Sequence, residues 1–115
     1  MDITIIQQGS TAVATLTGDI THAVAEDLEK KLLDALVSAD ALVLDFGGIR
    51  LLTSAGLRIL LRLYHEARQN HKKLLLAAVP EAVRGVMAST GFLKQYVTCE
   101  SVNDAFAEIT KTAKP

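Results

Sequence analysis

The sequence predicts an α/β fold: a single domain with a mixed central sheet, an N-terminal hairpin and about four helices, in the order β-β-α-β-α-β-α-β-α. Three observations carry this. Two near-continuous apolar runs, 41–46 and 73–79, have the pattern of strands covered on both faces. Apolar residues recur at helical spacing between and around them, so strands and helices alternate, which implies parallel pairing with right-handed crossovers. Ahead of them two short strand-like segments meet at Gly9-Ser10, a turn signal that makes a hairpin and adds antiparallel character at one side.

The hairpin strands read as Ile3 to Gln8 and Thr11 to Thr17, with Gly18-Asp19 breaking the second. Val24, Leu28, Leu32 and Leu36 recur every four residues and predict a helix over roughly 22–38, with Thr21 as its N-cap. Glu26 and Asp27 come early in it and Lys30 and Lys31 later, as the helix dipole prefers. Ala41 to Phe46 is the next strand and a short loop follows it. A helix from about Ser54 to Gln69 then has Leu57, Leu60, Leu61 and Tyr64 facing inward, with Ile59 and Leu63 beside them. Lys73 to Val79 is a buried strand. Pro80 opens the next helix, where its missing N–H costs nothing; Val83, Val86 and Met87 are that helix's apolar side, and Gly91 stops it. Tyr96 to Cys99 is a short strand. Ser101 caps a last helix carrying Val102, Ala105, Phe106 and Ile109, and residues 111–115 read as a flexible tail. No repeat or linker divides the 115 residues, so 1–115 is expected to be one domain.

Composition narrows the function. Half of the residues are apolar and only 4% aromatic, so Leu, Val, Ile and Ala must build the core. Twelve Lys and Arg against 13 Asp and Glu leave a net charge of −1, which argues against nucleic acid as a partner. The single Cys99 allows no internal disulfide and no metal-ligand pair, and suits a reducing compartment. No charged leader precedes an apolar run and no apolar stretch approaches a membrane span, so a soluble, cytoplasmic protein without membrane insertion is expected.

The chemistry concentrates in Leu42-Val-Leu-Asp-Phe-Gly-Gly-Ile-Arg-Leu-Leu-Thr-Ser-Ala-Gly-Leu57, a strand followed by a turn that presents Thr53 and Ser54 at the mouth of a helix. Helix N-termini offer free backbone N–H groups and the positive dipole end, so a hydroxyl there suits a phosphate or a nucleophile. Either hydroxyl is also expected to serve as the N-cap. Gly47-Gly48 lies in neither phosphate-loop pattern and reads as a turn that relieves crowding. Leu52 replaces the first glycine of a nucleophile elbow, and no Asp separates Ser54 from His65 or His71, so no hydrolase triad emerges. Asp45 lacks the acidic pair that a phospho-acceptor aspartate needs for Mg²⁺, and reads as an acid that organises the turn. Arg58, Arg62, His65 and Gln69 fall on one side of the second long helix as a basic strip, suited to solvent or to an acidic partner.

The run LVLDFGGIRLLTSAGLRILLRLYHEA resembles the signature segment of STAS domains, above all the bacterial anti-sigma-factor antagonists. That family shows an apolar strand, a D-[LF]-[SG]-x loop and a D-S-S-G-L helix start. Leu16-Thr-Gly-Asp-Ile20 is similar to its L-x-G-x-L/I-D segment, and Ser89-Thr-Gly-Phe-Leu93 to its S-G-L/F region. The resemblance covers nearly the whole chain. Here Thr53 stands at the usual acid and Ala55 at a frequent second serine.

The resemblance implies a non-enzymatic regulator that binds an anti-sigma factor with serine-kinase activity, is released when that kinase phosphorylates it, and is restored by a serine phosphatase. Aligned on Gly56, the phosphoacceptor is Ser54, with Thr53 as the alternative. The partner surface is expected to draw on Asp19, Ile20 and Thr21; on Gly48 and Arg50; on Thr53, Ser54, Ala55 and Gly56; and on Arg58 and Arg62. No cofactor or metal is implied, and a weak homodimer is left open. The alternative within the same fold is a constitutive scaffold subunit of a lipid-transport ATPase or other signalling complex, never phosphorylated.

Overall fold

The computed structural model describes residues 1–91 and 96–112. Its described elements are β1 (Asp2–Gln8), β2 (Thr11–Ile20), α1 (His22–Ser38), β3 (Ala41–Leu52), α2 (Ser54–Gln69), β4 (Lys73–Ala77), α3 (Glu81–Ser89), β5 (Val97–Cys99) and α4 (Val102–Thr112). The five strands form one sheet in the order β1-β2-β3-β4-β5. β1 is antiparallel to β2, and β2 through β5 are parallel. The predicted order and the mixed sheet are both present.

Each crossover from β2 to β5 moves one strand over in the same direction, so right-handed connections deliver α1, α2 and α3 to one face. The packing follows. Ala12, Ala14 and Leu16 of β2, Leu42, Leu44 and Phe46 of β3 and Leu76 of β4 meet Leu28 and Leu32 of α1, Ile59, Leu60 and Leu63 of α2 and Val83 and Met87 of α3. The other face holds a smaller cluster, Val43, Leu75 and Ala77 under Ala105 of α4, with Val102 and Ile109 beside it. The lower ends are tied by polar contacts. Asp40 N–H donates to Ser10 O in the hairpin turn at 2.7 Å, and the Lys72 ammonium donates to Ala39 O, the C-cap carbonyl of α1, at 2.6 Å.

Several local expectations are corrected. Gly18-Asp19 does not break β2: Gly18 takes φ +114°, and the strand runs on to Ile20. A Cβ at Gly18 would lie 3.3 Å from Met1 Cα, so glycine serves close approach as well as backbone freedom here. The loop predicted after Phe46 is strand instead, as β3 continues to Leu52. In α2 the inward stripe is Gly56, Ile59, Leu60, Leu63 and Ala67, while Leu61 is exposed and Leu57 and Tyr64 are half-buried. Val86 of α3 is also exposed. β4 stops at Ala77 because Ala78 turns to φ 55° and donates its N–H to Cys99 O.

Pro80 occupies the N-cap of α3 rather than its first turn. Gly91, at φ 79°, follows the end of α3 and donates to Ala88 O. Ser101 caps α4, its hydroxyl accepting from Asp104 N–H at 3.1 Å. α4 reaches two residues into the predicted tail, and positions 113–115 lie outside the described residues. So do Phe92 and Leu93 of the S-G-L/F region.

Tyr96 links the far strand to α2. Its ring is buried beside Tyr64, with centroids 5.7 Å apart, and its hydroxyl donates to Leu60 O. Burial, reinforced by Tyr64, pushes the phenol well above its ordinary range. Because the folded value exceeds the unfolded one, this stabilisation is complete below the unfolded value of about 10 and is lost as pH rises above it. Tyr96→Phe is expected to lower stability by about 1 kcal/mol at neutral pH and to weaken the alkaline decline, as read by urea melts at pH 7 and pH 11. An unchanged midpoint at both pH values would remove the role given to this bond.

Candidate functional site at the mouth of the second helix

β4 ends opposite Asp45, but β2 and β3 continue their parallel pairing as Thr17↔Gly48, Gly18↔Ile49, Asp19↔Leu51 and Ile20↔Leu52. Two register shifts, at Thr15/Thr17 and Gly18/Asp19, each place one extra residue on β3. Each extra residue displaces the inward alternation by one. The core positions therefore run Leu42, Leu44, Phe46, then Ile49, then Leu52, and Arg50 and Leu51 both turn outward.

Asp45 and Gly48 build the first bulge. The Asp45 carboxylate accepts Gly47 N–H at 3.0 Å, the turn-organising role read from the sequence. A Cβ on Gly48 would lie 2.9 Å from Thr17 Oγ1 and 3.0 Å from Leu16 O, so only glycine lets the strands close there. At the second bulge the Arg50 guanidinium sits 3.4 Å from the Asp19 carboxylate in an exposed pair, which organises more than it stabilises.

Thr53 closes the ladder. Its N–H donates to Ile20 O at 3.2 Å, and its hydroxyl donates to the same oxygen at 2.7 Å. Thr53 holds the N-cap position of α2 in extended backbone, and its carbonyl accepts the first helical bond from Leu57 N–H, but its hydroxyl makes no cap bond. The expected hydroxyl cap is therefore absent: the strand end takes that hydroxyl as a second donor to the Ile20 carbonyl, which has two lone pairs. Thr21, the N-cap of α1, likewise makes no side-chain cap bond.

Ser54 is the first residue of α2, exposed, with no hydrogen bond to its hydroxyl among the described residues. Behind it Gly56 is buried against the strand ends. A Cβ there would meet Leu52 Cδ1 at 2.5 Å and Ile20 Cγ2 at 2.8 Å, so the absence of a side chain sets how closely α2 seats.

The sequence-derived site residues thus converge from β2, β3 and α2, but they divide by orientation. Arg50, Ser54, Arg58 and Arg62 present side chains to solvent, Asp19, Thr21 and Thr53 partly so, and Gly48 contributes backbone. Ile20, Ala55 and Gly56 are buried and hold the others in place. Leu51, 49% exposed in the middle of this surface, was missed by sequence reasoning. It lies in the stretch read as a loop and carries no polar group to single it out; the second bulge turns it outward.

The basic strip is partly neutralised. Arg62 lies 3.8 Å from Glu29 of α1, and Arg68 lies over the Tyr64 ring. Arg58 makes no ion pair among the described residues. A shallow groove of about 270 Å³ runs between α1 and α2, lined by His22, Glu26, Glu29, Ala55, Arg58 and Arg62. No histidine bonds the Ser54 hydroxyl, and among the described residues no cluster of His, Cys, Asp and Glu has the makings of a metal site. Burial, then Glu108 and Asp104, push the Cys99 thiol up, away from thiolate reactivity. Among the described residues no helix is long and apolar enough to cross a membrane.

Comparison with known proteins gives a consistent picture. The family model described as "Mlab, STAS domain" matches residues 3–98. BtrV of Bordetella bronchiseptica, named as a candidate anti-sigma factor antagonist, is 33% identical over 116 positions, spanning 100% of this chain and 99% of that protein. An anti-sigma factor antagonist from Mycobacterium paratuberculosis superposes with a TM-score of 0.86 at 24% identity, over 95% of this chain and 93% of that one. The anti-sigma factor antagonist SpoIIAA in its unphosphorylated form superposes with a TM-score of 0.82 at 16% identity, over 98% and 100%. At those identities the two structures establish the shared fold.

Two substitutions test the architecture. Thr53→Val removes the hydroxyl bond to Ile20 O and is expected to cost about 1 kcal/mol, while Thr53→Ser keeps it. Gly56→Ala forces α2 off the strand ends and is expected to cost roughly 1–3 kcal/mol. Urea midpoints read both. A Thr53→Val midpoint equal to that of the parent would show that the hydroxyl holds nothing.

Proposed function

The chain belongs to the STAS domain family, and on that premise we propose that it is an anti-sigma-factor antagonist working by partner switching, with Ser54 as the phosphoacceptor. Residues 1–115 act as one regulatory domain in the cytoplasm that binds rather than catalyses. Its partner is an anti-sigma factor with serine-kinase activity, and a serine phosphatase resets it. The observation that carries this reading is the contrast between two neighbouring hydroxyls. Ser54 is exposed at the first position of α2, its hydroxyl unbonded among the described residues, whereas Thr53 is committed to Ile20 O at 2.7 Å. A kinase can take up the first without disturbing the fold; phosphorylating the second would break the contact that closes the strand ladder. The 33% identity to BtrV over the full chain supports the same reading.

In the unphosphorylated form the partner docks on the outward residues of this surface, Asp19, Thr21, Arg50, Ser54, Arg58 and Arg62, with Ile20, Gly48, Ala55 and Gly56 holding them in position. Phosphorylation adds about −1.5 to −2 charges and three acceptor oxygens at Ser54. Nearby free amides of the α2 N-terminus favour that charge within the domain. Against a docked partner the dianion must be desolvated, a cost of several kcal/mol unless the partner supplies donors. Moving a complex from 99:1 to 1:99 needs roughly 10⁴-fold differential affinity, about 5.5 kcal/mol, which lies within that range.

The test uses the cognate kinase-type anti-sigma factor. Incubation with ATP is expected to add one phosphate, read by intact mass, to the parent and to Thr53→Val but not to Ser54→Ala. Ser54→Asp is expected to weaken binding at least about 100-fold, close to 3 kcal/mol, while Ser54→Ala binds like the parent. Equal binding by the Asp and Ala variants, with no phosphate gained, would instead support a constitutive scaffold.

A further inference from the structure

We propose that β1 is a self-association edge: it pairs antiparallel with β1 of a second copy about a two-fold axis through Ile5, joining two five-stranded sheets into one. Among the described residues β1 pairs only with β2 and forms the border of the sheet. An edge strand presents a row of unpaired N–H and C=O groups, which proteins ordinarily blunt by shortness, lysine, proline, a bulge or a covering element. The opposite edge, β5, is blunted, being three residues long. β1 has none of these devices. It runs seven residues, keeps an unbroken register with β2 from Asp2 to Gln8, and contains no lysine or proline. Six of its seven residues are exposed, so nothing among the described residues covers it.

The exposed apolar residues favour pairing at the edge over docking on a face. Ile5 is 39% exposed and Ile6 56% exposed. As neighbours in a strand they point to opposite faces of the sheet. A partner pressed on either face would cover one of them, whereas a strand laid alongside covers part of both.

A second copy of this chain fits the edge because the strand is self-complementary. A two-fold axis through Ile5 sets Ile5 opposite Ile5, Thr4 opposite Ile6, Ile3 opposite Gln7 and Asp2 opposite Gln8. β-branched residues then meet at the centre, where cross-strand pairs contribute most. Asp2, the only charge in β1, faces an uncharged Gln8 and never its own copy. A net charge of −1 for the whole chain opposes association little. Seven residues at about 3.4 Å span roughly 24 Å of edge, a small contact, so the dimer is weak and concentration-dependent. β1 is separated by β2 from the strand that leads to Ser54, so association leaves the helix mouth open.

Sedimentation equilibrium on the full chain tests this without any partner. Between about 10 μM and about 1 mM, the range of a weak interface, the mass is expected to rise from the 12.3 kDa of one chain towards twice that value. Ile5→Lys, which sets two ammonium groups face to face at the axis, is expected to remain at the single-chain mass. An equimolar mixture of Ile5→Lys and Ile5→Glu is expected to regain association. Hydrogen exchange on the parent chain gives a readout independent of variants: the outward-pointing amides of β1, every second one between residues 2 and 8, gain protection with concentration, and those of α2 do not. A parent chain of constant mass to about 1 mM, undiminished association in Ile5→Lys, or a mixture that fails to associate would each overturn the proposal.

Discussion

The pairing of β2 with β3 beyond the rest of the sheet is the constraint on which the helix mouth depends. β4 leaves the sheet opposite Asp45, but β2 and β3 hold each other for a further stretch to Ile20 and Leu52. Without that extension, Asp19, Arg50 and Ser54 would sit at the ends of separate connections, each free to move. With it, the Asp19–Arg50 pair, the outward Leu51 and the start of α2 ride on one ladder. Thr53 fixes its end by giving two donors to one carbonyl, an N–H and a hydroxyl. The extension survives because both bulges fall on the same strand. A first shift alone would have turned Leu52 out of the core, and the second returns it.

The sequence made the order of elements legible and left the bulged ladder hidden, for a physical reason. Stripes such as Leu28, Leu32 and Leu36 record local periodicity, and the apolar runs of β3 and β4 record burial on both faces; both are written in neighbouring residues. The extension is written in the match between residues 17–20 and 48–52, which are far apart in the chain. Seen locally, Gly18 and Gly47-Gly48 look like breaks. In the structure Gly18 and Gly48 permit close approach, to Met1 and to Thr17 and Leu16 respectively. Leu61 and Val86 read as inward from the sequence for a related reason. An apolar residue on a helix signals a stripe, but the stripe's centre is set by what it packs against. For α2 that centre is Gly56, invisible to a hydrophobic count and yet the point of closest seating. Asp45 and the Ser101 cap were legible because their partners lie within three residues.

Burial divides the labour at the helix mouth. Ile20, Ala55 and Gly56 are interior, so their contribution is positional: they decide where Ser54 stands and how rigidly. Ser54 itself is tied by backbone alone. A group attached to its hydroxyl would project away from the core and meet no packed side chain, which is why a charge there changes the exterior of the domain and leaves its interior intact. Thr53 illustrates the complementary case. Where an acid would have placed a charge beside Ser54, a threonine contributes a donor to the strand end. The negative potential that an acid would bring to this position is therefore absent, and Arg58, one turn along, makes no ion pair among the described residues.

The same topological rule that assembles the helix mouth also exposes the opposite border. Every parallel step from β2 to β5 requires a crossover, and each crossover delivers a helix to one face, with its N-terminus at the end where the strands finish. Three helix starts therefore gather at that end, and the longest strand pair carries one of them forward to become the site. A hairpin needs no crossover, so nothing in the connectivity brings a helix to β1. Its bare edge is a consequence of how the chain enters the sheet, and α4 cannot remedy it, because its apolar side is already spent on β3, β4 and β5. What the chain can vary is the sequence of the strand itself, and that sequence keeps two isoleucines at the centre and its single charge at the end. A strand under pressure to remain unpaired would carry the reverse arrangement, with charge in the middle and the apolar residues towards the turn.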